Sequence, residues 1–169
     1  MEKIALAQLP AAVLDMRDHI LAAVESGRID DLRTAIEWNE LRPEFGIGRD
    51  TDPLAHWRAL SRDGEGLEIL AVLADILAES PALLPIGQDH ENNAIYVWPY
   101  LAEVPITQMT GAQKVELFRL MPAEAAAATL ARGRWTWYRL AIGADGTWHA
   151  FSRDAGDETE PTRSPRADR

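Results

Sequence analysis

Between Leu67 and Glu79 the chain reads L-E-I-L-A-V-L-A-D-I-L-A-E, a segment too apolar to lie on a surface. At helical spacing Leu67, Leu70, Ala74 and Leu77 fall on one side, and Ile69, Val72, Leu73 and Ile76 on others. A helix that is apolar on more than one face has to be covered on more than one face. The spacing therefore predicts a central helix around which the other elements are layered. At 169 residues the chain has the length of one domain, and a domain of about 150 residues buries roughly 70% of the surface its unfolded chain exposes. One domain over residues 1–152 is expected, followed by a tail, 153–169, that holds no apolar residue larger than alanine and reads as disordered.

The elements around that helix are legible from period and punctuation. Val13, Met16, Ile20 and Val24 recur at helical steps between Ala11 and Ser26, with Gly27 as the stop. A second helix is predicted over Asp30–Trp38, capped by Asp30 or Asp31 and buried through Leu32, Ala35 and Ile36, so that the two form an αα-hairpin. Asp52 and Pro53 open a third helix, with Leu54, Trp57 and Leu60 inward. Leu83–Ile86 and Ala94–Trp98 read as strands, and Pro99 either ends the second or marks it as an edge. Thr110 and Gln113 stand at capping-box spacing ahead of a helix through Val115, Phe118 and Met121. An alanine-rich helix follows Pro122 and stops at Gly133.

The last ordered unit is an aromatic hairpin, Arg134–Ile142 and Thr147–Ser152, joined by G-A-D-G, which fits a type I turn closed by a left-handed glycine. Strict alternation puts Trp135, Trp137, Arg139 and Ala141 on one face and Thr136, Tyr138, Leu140 and Ile142 on the other. It also sends Trp148 and Phe151 to opposite faces. Either helices cover both faces of the hairpin, or the Trp135–Trp137 face binds something. The fold class is α+β: five or six helices on a small antiparallel sheet that includes this hairpin. A mainly helical domain with an appended hairpin is the alternative.

Composition removes several functions. No cysteine is present, which excludes disulfides, thiolate metal sites and cysteine nucleophiles. With 17 basic and 27 acidic residues the formal charge is −10, which opposes nucleic acid and anionic membranes as partners. No run has the roughly 18 apolar residues of a membrane span, and the first residues lack a secretory pattern. A cytoplasmic location is expected from the chain as written, and a periplasmic one if a signal has been removed.

The candidate chemistry is sparse. Asp15 with His19 and Asp52 with His56 have helical i, i+4 spacing, which surface pairing and capping explain without a metal. The turn Asp89–Asn93 concentrates acceptors but lacks the spacing of a calcium loop. G-I-G-R-D, Gly46–Asp50, lacks the third glycine and the lysine of a phosphate cradle. Glu37, Glu40 and Glu44 sit among Trp38, Arg42 and Phe45 in a stretch with Pro43, Gly46 and Gly48 and no period, hence a loop. Trp38, Trp57, Trp98 and the hairpin aromatics are expected at the helix–sheet interface. No cofactor or metal is expected.

The segments E-N-N-A-I-Y-V-W-P-Y-L-A-E, Glu91–Glu103, and W-Y-R-L-A-I-G-A-D-G-T-W-H-A-F, together with the I-E-W-N-E-L-R-P-E-F-G loop, resemble a set of uncharacterised bacterial proteins over roughly Val13 to Phe151. Many of these carry export signals, and the resemblance implies no activity and no catalytic residue. The reading favoured by the sequence is a non-enzymatic binding or accessory module with an unknown small molecule or protein as partner. Its ligand surface is expected near Trp98, Tyr100, Trp137 and His149, with loop carboxylates at Glu40 and Glu44. The alternatives are a hydrolase or lyase-like enzyme using His149 with Glu37 or Glu40 as acid and base, and a protein that pairs with itself or a partner through an exposed edge or apolar patch.

Overall fold

The computed structural model describes residues 1–86 and 93–153. It is an α+β fold of six helices and one five-stranded antiparallel sheet. In chain order these are β1 (Glu2–Lys3), α1 (Ala11–Ser26), α2 (Leu32–Glu37), α3 (Pro53–Leu60), α4 (Leu67–Ala78), β2 (Ala82–Pro85), β3 (Ala94–Trp98), α5 (Gly111–Leu120), α6 (Ala123–Arg132), β4 (Tyr138–Gly143) and β5 (Trp148–Arg153). The strands lie in sequence order, β1 to β5, each antiparallel to the next. The Asp89–Asn93 turn lies outside the described residues except for Asn93, and so does the tail apart from Arg153, which belongs to β5. Among the described residues no helix is long and apolar enough to cross a membrane.

The apolar helix is central, as its pattern requires: α4 packs against α1 and touches β4, and Ile69, Leu70, Leu73, Ile76 and Leu77 are buried. Asp63 makes its start. The Asp63 carboxylate accepts from the Ser61 hydroxyl and from the amides of Glu65, Leu67 and Glu68, which satisfies donors that a helix N-terminus leaves open. The Ser61 hydroxyl bond, aided by those amides, holds the Asp63 carboxyl well below the usual carboxylate range. A depressed folded-state value means stability that is present above the unfolded value of about 3.9 and is lost as the pH falls below it. Asp63→Asn is therefore expected to melt lower than the parent at neutral pH, with the gap closing on acidification in a series of melts from pH 7 to 2. A gap that stays constant with pH would show that charge plays no part.

Other elements follow their local signals. Gly27 and Gly133 end α1 and α6 in the left-handed region, Asp52 caps α3 through Leu54 N, and Thr110 and Gln113 form both bonds of a capping box. One helix start and two helix faces differ from the expectation. Asp31 makes no side-chain cap, and a short 3-10 turn over Ile29–Asp31 leads into α2 instead. Leu60 is exposed at the last position of α3. On α5 it is Leu117 and Leu120 that face inward, leaving Val115 and Phe118 in solvent. Pro99 ends a strand that is internal to the sheet.

The hairpin departs from strict alternation at one point, and that point matters for the site. Across β4 and β5 the partners are Leu140 with Phe151, Ala141 with Ala150, and Ile142 with Trp148, so His149 is an extra residue: a β-bulge. One inserted residue reverses the parity of everything beyond it. Trp148 and Phe151 consequently lie on the same face, with Leu140, Ile142, Tyr96 and Trp98, and all six are buried. Trp135 and Trp137 precede β4 and are buried as well. The Trp135–Trp137 stretch is thus not an open binding face.

Candidate functional site

The loop after α2 is built onto the outer edge of β5. The Asn39 carboxamide imitates a strand residue: Nδ2 donates to the Trp148 carbonyl at 2.8 Å and Oδ1 accepts from the Trp148 amide at 3.1 Å. Five residues on, the Glu44 amide donates to the His149 carbonyl at 2.8 Å and the Phe151 amide donates to the Glu44 carbonyl at 3.0 Å. Between these two attachments the chain bows outward. Phe45 anchors it, with its ring edge-on to Trp57 at 4.9 Å and to Trp148 at 5.3 Å. Arg42 holds the far side closed by donating to the carbonyls of Gly48, Arg49 and Thr51.

The bow, the first half of α1 and the β4–β5 turn enclose an open cleft of about 1040 Å³. Asp15 and His19 come from α1, Trp38, Glu40, Glu44 and Arg49 from the loop, and Asp145 and His149 from the hairpin. The bulge is what delivers His149, because a regular strand would have no residue to spare between two core aromatics. Gly143 leaves room for it: a Cβ there would lie 2.7 Å from His149 Nε2 and 3.0 Å from Asp145 Oδ1. The turn itself is the expected one, with Gly146 N donating to the Gly143 carbonyl and Gly146 at φ 87°.

Four carboxylates face two guanidiniums in this cleft. Some of the charge is committed locally. Glu44 accepts from the Gly46 amide at 2.7 Å, and Arg42 is occupied by backbone carbonyls. Asp145 accepts from the Thr147 amide at 3.0 Å, and that bond, with the nearby His149, holds its carboxyl below the usual range. His19 Nδ1 donates to the Asp15 carbonyl, and its ring lies 4.6 Å from that of Trp38. No carboxylate accepts from the His149 imidazole among the described residues, and no group of three or more potential ligands there is placed to hold a metal ion.

The residues singled out from sequence divide in two. Glu40, Glu44 and His149 meet in the cleft, although His149 lies more than a hundred residues from the other two in the chain. Trp98, Tyr100 and Trp137 do not join them. Trp98 is fully buried and donates through Nε1 to the Glu79 carbonyl. Tyr100 is buried and donates to Glu116 at 2.8 Å, and burial with that bond pushes its phenol up to about 12. Trp137 is buried under Arg153, whose guanidinium lies 4.7 Å from the ring centre. The expected aromatic surface is therefore core, and Glu37 does not line the cleft.

Trp38 is the residue that sequence reasoning misplaced. It is 68% exposed, at the mouth of the cleft, and not at the helix–sheet interface. A signal for this existed: the buried positions of α2 are Leu32 and Ala35, with Ile36 beside them, and position 38 falls off that stripe. Comparison with protein families, with curated proteins and with solved structures gives no match to this chain.

Proposed function

We propose that the protein is a non-enzymatic binding module that seats a small ligand in this cleft against the indole of Trp38. One observation carries the reading. Of six tryptophans five are buried, and the single exposed one lines the cleft together with Asp15, His19, Glu40, Asp145 and His149. A tryptophan supplies flat apolar area with few rotamers to freeze, which suits a contact platform.

The competing acid–base reading draws on the same cleft, since His149 shares it with Glu40 and Glu44. A general base is oriented by a partner on its other nitrogen, and among the described residues no carboxylate accepts from His149. Edge pairing is disfavoured for a different reason. The β5 edge is covered by the loop, and β1 at the other edge is two residues long.

The test is ligand-observed NMR of a small-metabolite library against the full chain and its Trp38→Ala variant. Binders are expected to weaken about tenfold or more in the variant, the effect of removing a central aromatic contact, with an unchanged melting temperature. Binders indifferent to Trp38, or none at all, would remove the proposal. Turnover of a bound compound that His149→Gln abolishes would favour the enzyme.

A further inference from the structure

We infer that the ligand of the Trp38 cleft is a neutral saccharide, which rests on reading the cleft as a binding site and adds the chemical class of what it binds. The class follows from what the lining leaves unsatisfied. Among the described residues the carboxylates of Asp15 and Glu40 and the guanidinium of Arg49 carry no hydrogen bond or ion pair, and all three residues are exposed in the cleft. A carboxylate only accepts and a guanidinium only donates, so a ligand that meets both has to offer donors and acceptors together. A hydroxyl is both, and its bond to a carboxylate is among the stronger kinds.

The hairpin wall makes the same demand. His149 Nε2 and Asp145 Oδ1 lie 2.7 Å and 3.0 Å from the point that a Cβ of Gly143 would occupy, so imidazole and carboxylate stand side by side over that glycine. Asp145 spends one acceptor site on the Thr147 amide and keeps the others. A hydroxyl can then donate to the carboxylate while its oxygen faces the imidazole. The same cleft holds the exposed indole of Trp38, a flat apolar face. A sugar ring joins these features in one molecule, with hydroxyls around its edge and C–H groups on its faces. An organic cation would suit the indole and the carboxylates, yet it sets like charge beside Arg49 and offers that guanidinium no acceptor. At about 1040 Å³ the cleft stands at the upper end of small-molecule sites, roughly 300–1,000 Å³, which admits more than one sugar ring.

The experiment follows the Trp38 indole N–H signal of the full chain by NMR during titration with maltotriose, cellotriose and chitotriose, and with choline as the organic cation. A saturable shift with at least one saccharide is expected, at an affinity that salt does not change, because a neutral ligand has no charge to screen. Trp38→Ala should weaken that saccharide about tenfold or more. Gly143→Ala is the second variant. Gly143 lies outside the left-handed region, and the atoms its new methyl meets are the ends of the His149 and Asp145 side chains, which can swing away. A loss of about tenfold is expected there, the worth of one hydrogen bond to a charged group, with an unchanged melting temperature. A salt-sensitive shift with choline alone overturns the saccharide and leaves the cleft a binding site. No shift with any saccharide, or a saccharide indifferent to Gly143→Ala, overturns the saccharide assignment. Saccharide binding that leaves the Trp38 signal unmoved overturns both readings together.

Discussion

Phe45→Ala is expected to lower the stability of the protein by about 3–5 kcal/mol, the cost of emptying a buried aromatic position. In a domain of this length that corresponds to a melting temperature lower by roughly 6–20 °C. The ring is buried between Trp57 and Trp148, and Trp57 in turn stacks edge-on to Phe151. Removing it leaves a void with stiff walls, because Trp57 is held against Phe151 and Trp148 is fully buried, so neither has much freedom to close in. The effect should also be local. Phe45 is the largest buried side chain of a loop otherwise held by Pro43, Ile47 and a few hydrogen bonds, so the amides of Glu44 and Phe151 should lose hydrogen-exchange protection before those of β3. Thermal melts and exchange on the variant check both parts. A loss under 1 kcal/mol, or uniform loss of protection, would mean that the loop is held by something other than this ring.

Gly146→Ala is the second large effect, expected at about 2–5 kcal/mol. Part of it is conformational, since an L-residue in the left-handed region costs about 1–2 kcal/mol. The remainder is contact: a Cβ at Gly146 would sit 2.7 Å from the Ala12 carbonyl oxygen, a backbone atom in the first turn of α1 that cannot swing aside. Relieving such an overlap shifts backbone, typically at a cost of about 1–3 kcal/mol. Gly27 supplies the comparison within the same molecule. It has φ 66° and nothing within 4 Å of its missing Cβ, so Gly27→Ala should show the conformational part alone. Equal denaturant midpoints for the two variants would contradict the steric argument. A clear excess for Gly146 would establish that the turn is pressed against α1, which is what closes one side of the cleft.

What the sequence disclosed is what local rules govern. The α1 stripe, the Gly27 and Gly133 stops, the Asp52 cap and the Thr110–Gln113 box each depend on residues within one helical turn, and each is found where the pattern puts it. The wrong face of α5 shows where locality ends. Val115 with Phe118 and Leu117 with Leu120 and Met121 are both plausible apolar stripes, and only the neighbouring elements decide between them. The cleft depended almost wholly on such non-local facts. Asn39 and Trp148 are 109 positions apart, and nothing in N-E-L-R-P-E-F announces that its asparagine will act as a strand residue. Aromatic richness misleads for a related reason: Trp98, Tyr100 and Trp137 have the chemistry of ligand contacts, yet the same bulk makes such side chains core material. The hairpin parity failed because alternation presumes one residue on each strand per step.

The bulge at His149 separates two kinds of constraint that usually fall on one residue. Its neighbours Trp148 and Phe151 are dictated by the interior, and altering either disturbs the whole sheet. The imidazole is exposed and lies over Gly143 beside Asp145, and the main chain of that position already supplies the carbonyl that the Glu44 amide needs. A substitution at position 149 therefore changes the wall of the cleft without removing the main-chain bond that ties the loop to β5.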